Sequence, residues 1–162
     1  MTKDLSEAEK WLRKAAEQGD PNAKHALGPI WYRKAAEQGD AKAQYELALA
    51  YALGISVFTK QDKVEAAKWY RKAAEQGYAP AQAALGCAYV YGVGVANDQA
   101  GGVTWLRKAA EQGNRVAQFH LGSAYEHGFG VTKNLAEAAK WYRKAAEQGD
   151  ANAKDALKQM GQ

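Results

Sequence analysis

Cysteine is almost absent from this chain, and the shortage disposes of several function classes. One residue, Cys87, among 162 cannot form an internal disulfide or a multi-cysteine metal site. It carries no sign of an oxidising compartment, so a cytoplasmic setting is the default expectation, changing to periplasmic or secreted if a signal peptide has been removed upstream. A long apolar run is missing too. The opening MTKDLSEAEK has no hydrophobic stretch of the signal-peptide kind, and the longest apolar run, 83–95, is short and interrupted by Gly86, Gly92 and Gly94, so membrane insertion is not expected. Nor does one charge dominate. Against 22 basic residues stand 18 acidic ones, and each basic pair has a glutamate within a turn or two, as Arg143 and Glu147 at i, i+4 illustrate, so a nucleic-acid stripe is not expected. Histidines number three. His120 and His127 stand ~10 Å apart along a helix axis, too far to share a metal without further ligands, and His25 is remote. No metal or other cofactor is expected.

What the chain does have is repetition. WYRKAAEQGD at 31–40 returns letter for letter at 141–150 and nearly so at Trp11, Trp69 and Trp105. The five tryptophans are spaced 20, 38, 36 and 36 residues apart, and a fixed period of this size marks a solenoid built from one stacked unit. In the last copy Ala138, Trp141, Tyr142, Ala145 and Ala146 fall on one stripe of a 3.6-residue period, with Lys140, Arg143, Lys144 and Glu147 opposite. This is helix B of the unit. The Gly after each Gln (Gly19, Gly39, Gly77, Gly113, Gly149) supplies a left-handed stop. Asp4, Asp62 and Asn134, each with Glu three residues on, have capping-box spacing at the helix start.

Helix A is expected over about 42–53, 80–91 and 116–127, with Ala43/Leu47/Tyr51, Ala81/Leu85/Tyr89 and Ala117/Leu121/Tyr125 on its packing face. Gly86 and Gly122, with Ala48 in the same place, let a neighbouring helix come close. The loops Gly92-Val93-Gly94-Val95 and Gly128-Phe129-Gly130-Val131 need positive φ at glycine and tuck Val or Phe back onto the pair. After Gly54 the equivalent loop is two residues longer, carries Ser56 in place of the second Gly, and is expected to be the least ordered.

The whole chain, 1–162, reads as a single array of about four units. The first is shortened near 28–30: past Leu27-Gly28 it lacks the rest of helix A, the loop and the first turn of the next helix B. Asp20 or Asn22 would cap the remnant. Either a short helix breaks at Gly28-Pro29, or residues 21–38 form one kinked helix. Fusion would leave a hairpin unable to close within one chain, a route to exchange between protomers and hence to a homodimer. The chain opens where an internal copy is halfway through its loop, as if cut from a longer array. At the other end, 151–160 reads as one more helix A, with Asp155 and Lys158 replacing stacking residues as a polar cap.

The unit A-x-x-x-L-G-x-x-Y-x-x-G-x-G-V-x-x-[DN]-x-x-x-A-x-x-W-[YL]-R-K-A-A-E-Q-G, best seen in 81–113 and 117–149, resembles the Sel-one-like repeat, a relative of the tetratricopeptide repeat. The resemblance implies an all-α, right-handed superhelical solenoid of antiparallel helix pairs, acting as a non-catalytic adaptor that binds proteins or peptides. For secreted, cysteine-rich members, β-lactam binding or hydrolysis has been proposed. Paired cysteines are absent here, so that activity stands only as an alternative reading, beside a repeat fragment or engineered array with no dedicated partner.

Residues that recur build the array, so specificity must sit where copies differ. On helix A those positions are Lys42, Tyr45, Leu49 and Ala52, then Pro80, Ala83, Cys87 and Val90, then Val116, Phe119, Ser123 and Glu126. The spacing i, i+3, i+7, i+10 places each set on one face. With Leu53, Tyr91 and His127 beside them, they are expected to pave a groove for a peptide or partner helix. The bland alternative is that Tyr45 and Phe119 fill the core and the rest drift. No catalytic residue stands out: Ser6, Ser56 and Ser123 lack a suitably spaced base, and the paired-glycine loops lack the third glycine and leading strand of a nucleotide fingerprint.

Overall fold

In a computed structural model the described residues are 2–18, 20, 27–28, 32–54 and 61–161. Among them every regular element is helical. Helix α1 spans Thr2–Glu17, and α2 is the helical stretch 32–37. Then follow α3 (Ala41–Leu53), α4 (Lys63–Glu75), α5 (Ala79–Tyr91), α6 (Gln99–Glu111), α7 (Arg115–His127), α8 (Leu135–Glu147) and α9 (Ala151–Gln159). Helices α3 with α4, α5 with α6 and α7 with α8 pack as A/B hairpins, and each B helix also packs on the next A helix. The molecule is thus an all-α solenoid of helix pairs. None of the described helices is long and apolar enough to cross a membrane.

The joint between one unit and the next is three residues long, and its chemistry explains the Gln-Gly-Asp motif. Gly39, Gly113 and Gly149 have φ of 98°, 89° and 86°, the left-handed region in which a Cβ is penalised. The following residue turns its amide back into the helix just ended: Asp40 to Ala35 O at 3.0 Å, Asn114 to Ala109 O at 3.0 Å, Asp150 to Ala145 O at 3.1 Å. This is the six-to-one bond of a Schellman stop. The same residue then caps the next helix, its Oδ1 accepting from Ala43, Ala117 and Ala153 respectively. One residue thus closes a B helix with its amide and opens an A helix with its side chain, and the A helices begin one residue earlier than their periodicity predicts. At Tyr78 only the backbone half of the joint exists, and Pro80 in the first turn takes over the start.

At the other end of each hairpin Asp62 Oδ1 accepts from the Glu65 amide and Asn134 Oδ1 from the Ala136 and Glu137 amides, as expected. The reciprocal glutamate bond of the capping box is replaced. The Asp62 amide already donates to Tyr51 O at 2.9 Å, and that of Asn134 to Tyr125 O at 2.8 Å. Glu65 and Glu137 turn instead to Lys68 and Lys140. Asp4 corrects the expectation: α1 already begins at Thr2, so Asp4 is inside the helix.

The core is a file of clusters, each shared by neighbours. Ala36, Ala43 and Leu47 join α2 to α3; Ala48, Ala66, Tyr70, Ala73, Ala81 and Leu85 carry it through α5; Val90, Val103, Leu106, Leu121 and Trp141 continue to α8; Tyr142 and Ala153 reach α9. The close approach expected at Gly86 and Gly122 is present: a Cβ on Gly86 would stand 2.8 Å from Leu106 Cγ and 2.9 Å from Gly102 O, and one on Gly122 2.7 Å from Tyr142 Cδ1. In α9 Asp155 and Lys158 are exposed, as their polarity suggests. The choice between one kinked helix and two over 21–38, the cap at Asn22 and the order of the loop after Gly54 lie outside the described residues.

Two lateral series tie the stack together. Gln44, Gln82 and Gln118 are each 4% exposed and donate to Ala36 O, Ala74 O and Ala110 O at 3.0, 3.1 and 3.1 Å. Each in turn accepts from a glutamine at the end of its own unit's helix B: Gln76, Gln112 and Gln148, at 2.8, 2.7 and 2.7 Å. Along another edge the arginine of the WYRK motif donates to a tyrosine hydroxyl of the next A helix, Arg33 to Tyr51, Arg71 to Tyr89 and Arg107 to Tyr125. In these copies a tyrosine across the helix joint engages the arginine.

Candidate functional site

Helix α5 lies between α3 and α7 in the row of A helices, and touches α7 directly. The positions at which copies differ therefore meet across these three helices. On α3, Tyr45 is half-buried, its ring 5.7 Å from that of Tyr70 and 5.5 Å from that of Tyr78. Burial, with the charges of Glu46 and Tyr78, raises its hydroxyl pKa. Leu49 is half-buried and Leu53 is 57% exposed. On α5, Ala83 and Val90 are buried, Cys87 is half-buried, and Tyr91 is 56% exposed. On α7, Phe119 lies 5.6 Å from the ring of Tyr142, Ser123 and Glu126 are half-buried, and exposed His127 stacks on Phe129 at 5.4 Å.

Two clefts open on this face. A smaller one, of about 130 Å³, brings together Tyr45 of α3, Pro80, Ala83 and Cys87 of α5, and Val116 of α7. A larger one, of about 210 Å³, lies between the α3/α4 hairpin and α5, with Cys87, Tyr91 and Val93 on one wall and Ala52, Lys63 and Tyr70 on the other. Ala84 and Cys87 line both, so the clefts are successive stations of one trough. Of the residues expected in a groove, Tyr45, Ala52, Pro80, Ala83, Cys87, Tyr91 and Val116 converge there.

Others do not. Val90 is a core residue: Gly102 has no Cβ, α6 rides close over α5, and the Val90 Cγ2 stands 2.7 Å from where that Cβ would be. Glu126 is committed to the fold, accepting from Tyr142 Oη at 2.7 Å; burial first, then this carboxylate, push the Tyr142 hydroxyl far up in pKa. Phe119 shares the same seam with Tyr142, which is the bland role considered for it. Leu49, Leu53, Ser123 and His127 line neither cleft.

Ala84, Ala88, Lys63 and Val93 line the larger cleft and escaped the sequence argument, because that argument followed one helix face while the cleft is walled by a B helix and a loop as well. Their signal was available in the comparison of copies: Ala84 and Val93 stand where the next unit has His120 and Phe129. The ring of His120 packs 6.0 Å from that of Tyr91, with Nδ1 3.4 Å from the hydroxyl, and burial lowers its pKa against the weaker pull of Asp150.

Chemically the trough is apolar and unreactive. Burial pushes the Cys87 thiol up to about 12, so at neutral pH it is protonated and a poor nucleophile. No group of three or more His, Cys, Asp or Glu among the described residues could hold a metal ion.

The Sel1 repeat family model matches residues 1–20, 30–40, 41–78, 79–114 and 115–150. Among solved structures, a Sel1 repeat protein from Oxalobacter formigenes is 42% identical, with 80% of this chain and 96% of that one covered and a TM-score of 0.70. A protective antigen of uropathogenic Escherichia coli strains displaying an SLR fold is 40% identical, with 90% of this chain covered and a TM-score of 0.74. The chain spans only 34% of that antigen's length. Helicobacter pylori cysteine rich protein B shares the fold at 24% identity, with 86% of this chain and 98% of that one covered and a TM-score of 0.62. Comparison with curated protein sequences finds no match. Sel1 repeats are generally protein-interaction scaffolds. With its Trp-anchored period, its Gln-Gly-Asp joints and a family model matching nearly end to end, the chain belongs to the Sel1 repeat family.

Proposed function

We propose that the protein is a non-catalytic scaffold that holds a peptide segment of a partner protein along the trough formed by α3, α5 and α7. The observation that carries this reading is the meeting of the two clefts at Ala84 and Cys87, on the face where the units differ in sequence. Framework positions cannot distinguish partners, whereas Tyr45, Pro80, Cys87, Tyr91 and Val116 are particular to their units and line open apolar space. A rigid stack of helix pairs presents that space ready-made, so little conformational entropy is lost on binding. Exposed Val116, 46% accessible, and Tyr91 extend the apolar surface beyond the clefts.

A phage-displayed dodecapeptide library panned on the intact chain tests the proposal. Enriched peptides should lose at least tenfold in affinity with Tyr91→Ala or Val116→Glu, both tolerable at exposed sites, and keep it with Glu111→Ala on the B-helix side. Peptides insensitive to both trough substitutions would refute it.

A further inference from the structure

The larger cleft lies at a unit junction that carries smaller side chains at four positions than the next junction does. The two junctions can be superposed residue by residue through the repeat. Where the α3/α4/α5 junction has Ala52, Ala67, Ala84 and Val93, the α5/α6/α7 junction has Val90, Val103, His120 and Phe129. Val90 and Val103 are buried there, and Phe129 packs half-buried against their cluster; Val93, by contrast, is 41% exposed. Tyr70, Ala66 and Tyr91 are larger than their counterparts Leu106, Gly102 and His127, but Tyr70 is only 8% exposed where it lines the cleft. The same repeat thus buries Val90 and Val103 at one junction and leaves about 210 Å³ open at the other. That is space enough for one aromatic ring, since an apolar cavity of about 150 Å³ takes up benzene. Lys63 carries the only charge among the lining residues. Leu53 and Val64, next in the chain to lining residues Ala52 and Lys63, are 57% and 55% exposed, so apolar surface continues around the opening.

We infer that this cleft is a side-chain socket: it receives one aromatic ring of a partner peptide, with an acidic residue beside that ring paired to the Lys63 ammonium. The inference rests on the trough as the binding face and goes further in naming what the partner must present. The ring takes the place that Val90 and Phe129 fill one unit later, and the carboxylate answers the single charge at the wall. Apolar burial supplies most of the affinity, because an exposed ion pair contributes only about 0.2–1 kcal/mol.

The test uses the peptide Ac-Gly-Ser-Phe-Asp-Gly-Ser-NH2, titrated into the full chain and read by amide shifts at Ala84, Ala88 and Tyr91. Saturable shifts confined to this region are expected. Replacing the peptide's Phe with Gly should weaken binding at least tenfold, and replacing its Asp with Asn about two- to fivefold, within the range of such a pair. The double variant Ala52→Val, Val93→Phe, which installs the residues used one unit later, should stay folded and lose the shifts; Ala84→His is the second filling variant if the first does not fold. Binding by a filled, folded variant, or equal binding of the ring-less peptide, would overturn the inference. So would the same amides shifting with protein concentration alone, which would assign the socket to a second copy of the chain. A panned peptide sensitive to Val116→Glu but indifferent to filling would leave the trough standing and remove the socket; indifference to both would remove both.

Discussion

Gln44, Gln82 and Gln118 are buried amides in a seam made mostly of alanine and leucine. Each adds a second bond to a carbonyl at the end of the preceding unit's helix B, which already accepts from the glycine amide of the joint, and receives a bond from a glutamine of its own unit. Gln118→Leu keeps the volume but removes two side-chain bonds, the one to Ala110 O and the one from the Gln148 amide, leaving those groups their bonds with Gly113. It is expected to cost about 1–3 kcal/mol, read as a lower urea midpoint with an unchanged slope. Cys87 makes the second prediction at this scale. Because burial disfavours the thiolate and lifts the thiol to about 12, alkylation by iodoacetamide at pH 8 should be far slower than for a free cysteine and should keep accelerating as pH rises toward 12. A rate that levels off near pH 9 would contradict the buried setting.

At the scale of elements, joints and close contacts matter more than helix propensity. The Gln-Gly-Asp joint needs only one backbone in the left-handed region and one short acceptor, which is why so brief a motif can turn the chain between units. Gly39, Gly86 and Gly122 separate two reasons for glycine. An Ala at Gly39 meets nothing within 4 Å and faces only its φ of 98°, a cost of about 1–2 kcal/mol. At Gly122 the intruding methyl meets the edge of the Tyr142 ring, which can shift; at Gly86 it meets the Gly102 carbonyl and Leu106 amide as well as a side chain. Overpacking of this kind costs about 1–3 kcal/mol. Thermal melting should rank Gly86→Ala as the most damaging of the three, since backbone cannot give way as a ring can.

For the whole molecule, succession of clusters implies stability that is a sum over neighbours and not a property of one centre. Helices α5 and α6 are covered on both sides along the stack, whereas α9 packs on α8. Hydrogen exchange should therefore be slowest in α5 and α6 and at least tenfold faster in α9. Gly122→Ala should speed exchange in α7, α8 and α9 while leaving α3 and α4 nearly unchanged; uniform acceleration would mean that the array unfolds as a single unit.

Much of this was legible without coordinates, because a motif that occurs five times states its own rules. The period, the helix stripes, the glycine stops, the caps at Asp62 and Asn134 and the close approach at Gly86 and Gly122 all depend on residues within one unit or on its direct neighbour. The partners of the buried glutamines were not legible, since they lie about thirty residues away across a seam, and neither was the diversion of arginine to tyrosine. The trough was read only in part. Spacing along one helix put Val90 and Glu126 on its surface, but helix-to-helix approach buried the first against Gly102 and bound the second to Tyr142. Local pattern, in short, decided which elements form and in what order they stack, because those depend on side-chain period and caps. Which of the varying side chains face open space was decided only when three helices and a loop closed around them, because free volume is a property of what fails to meet, and no single segment contains it.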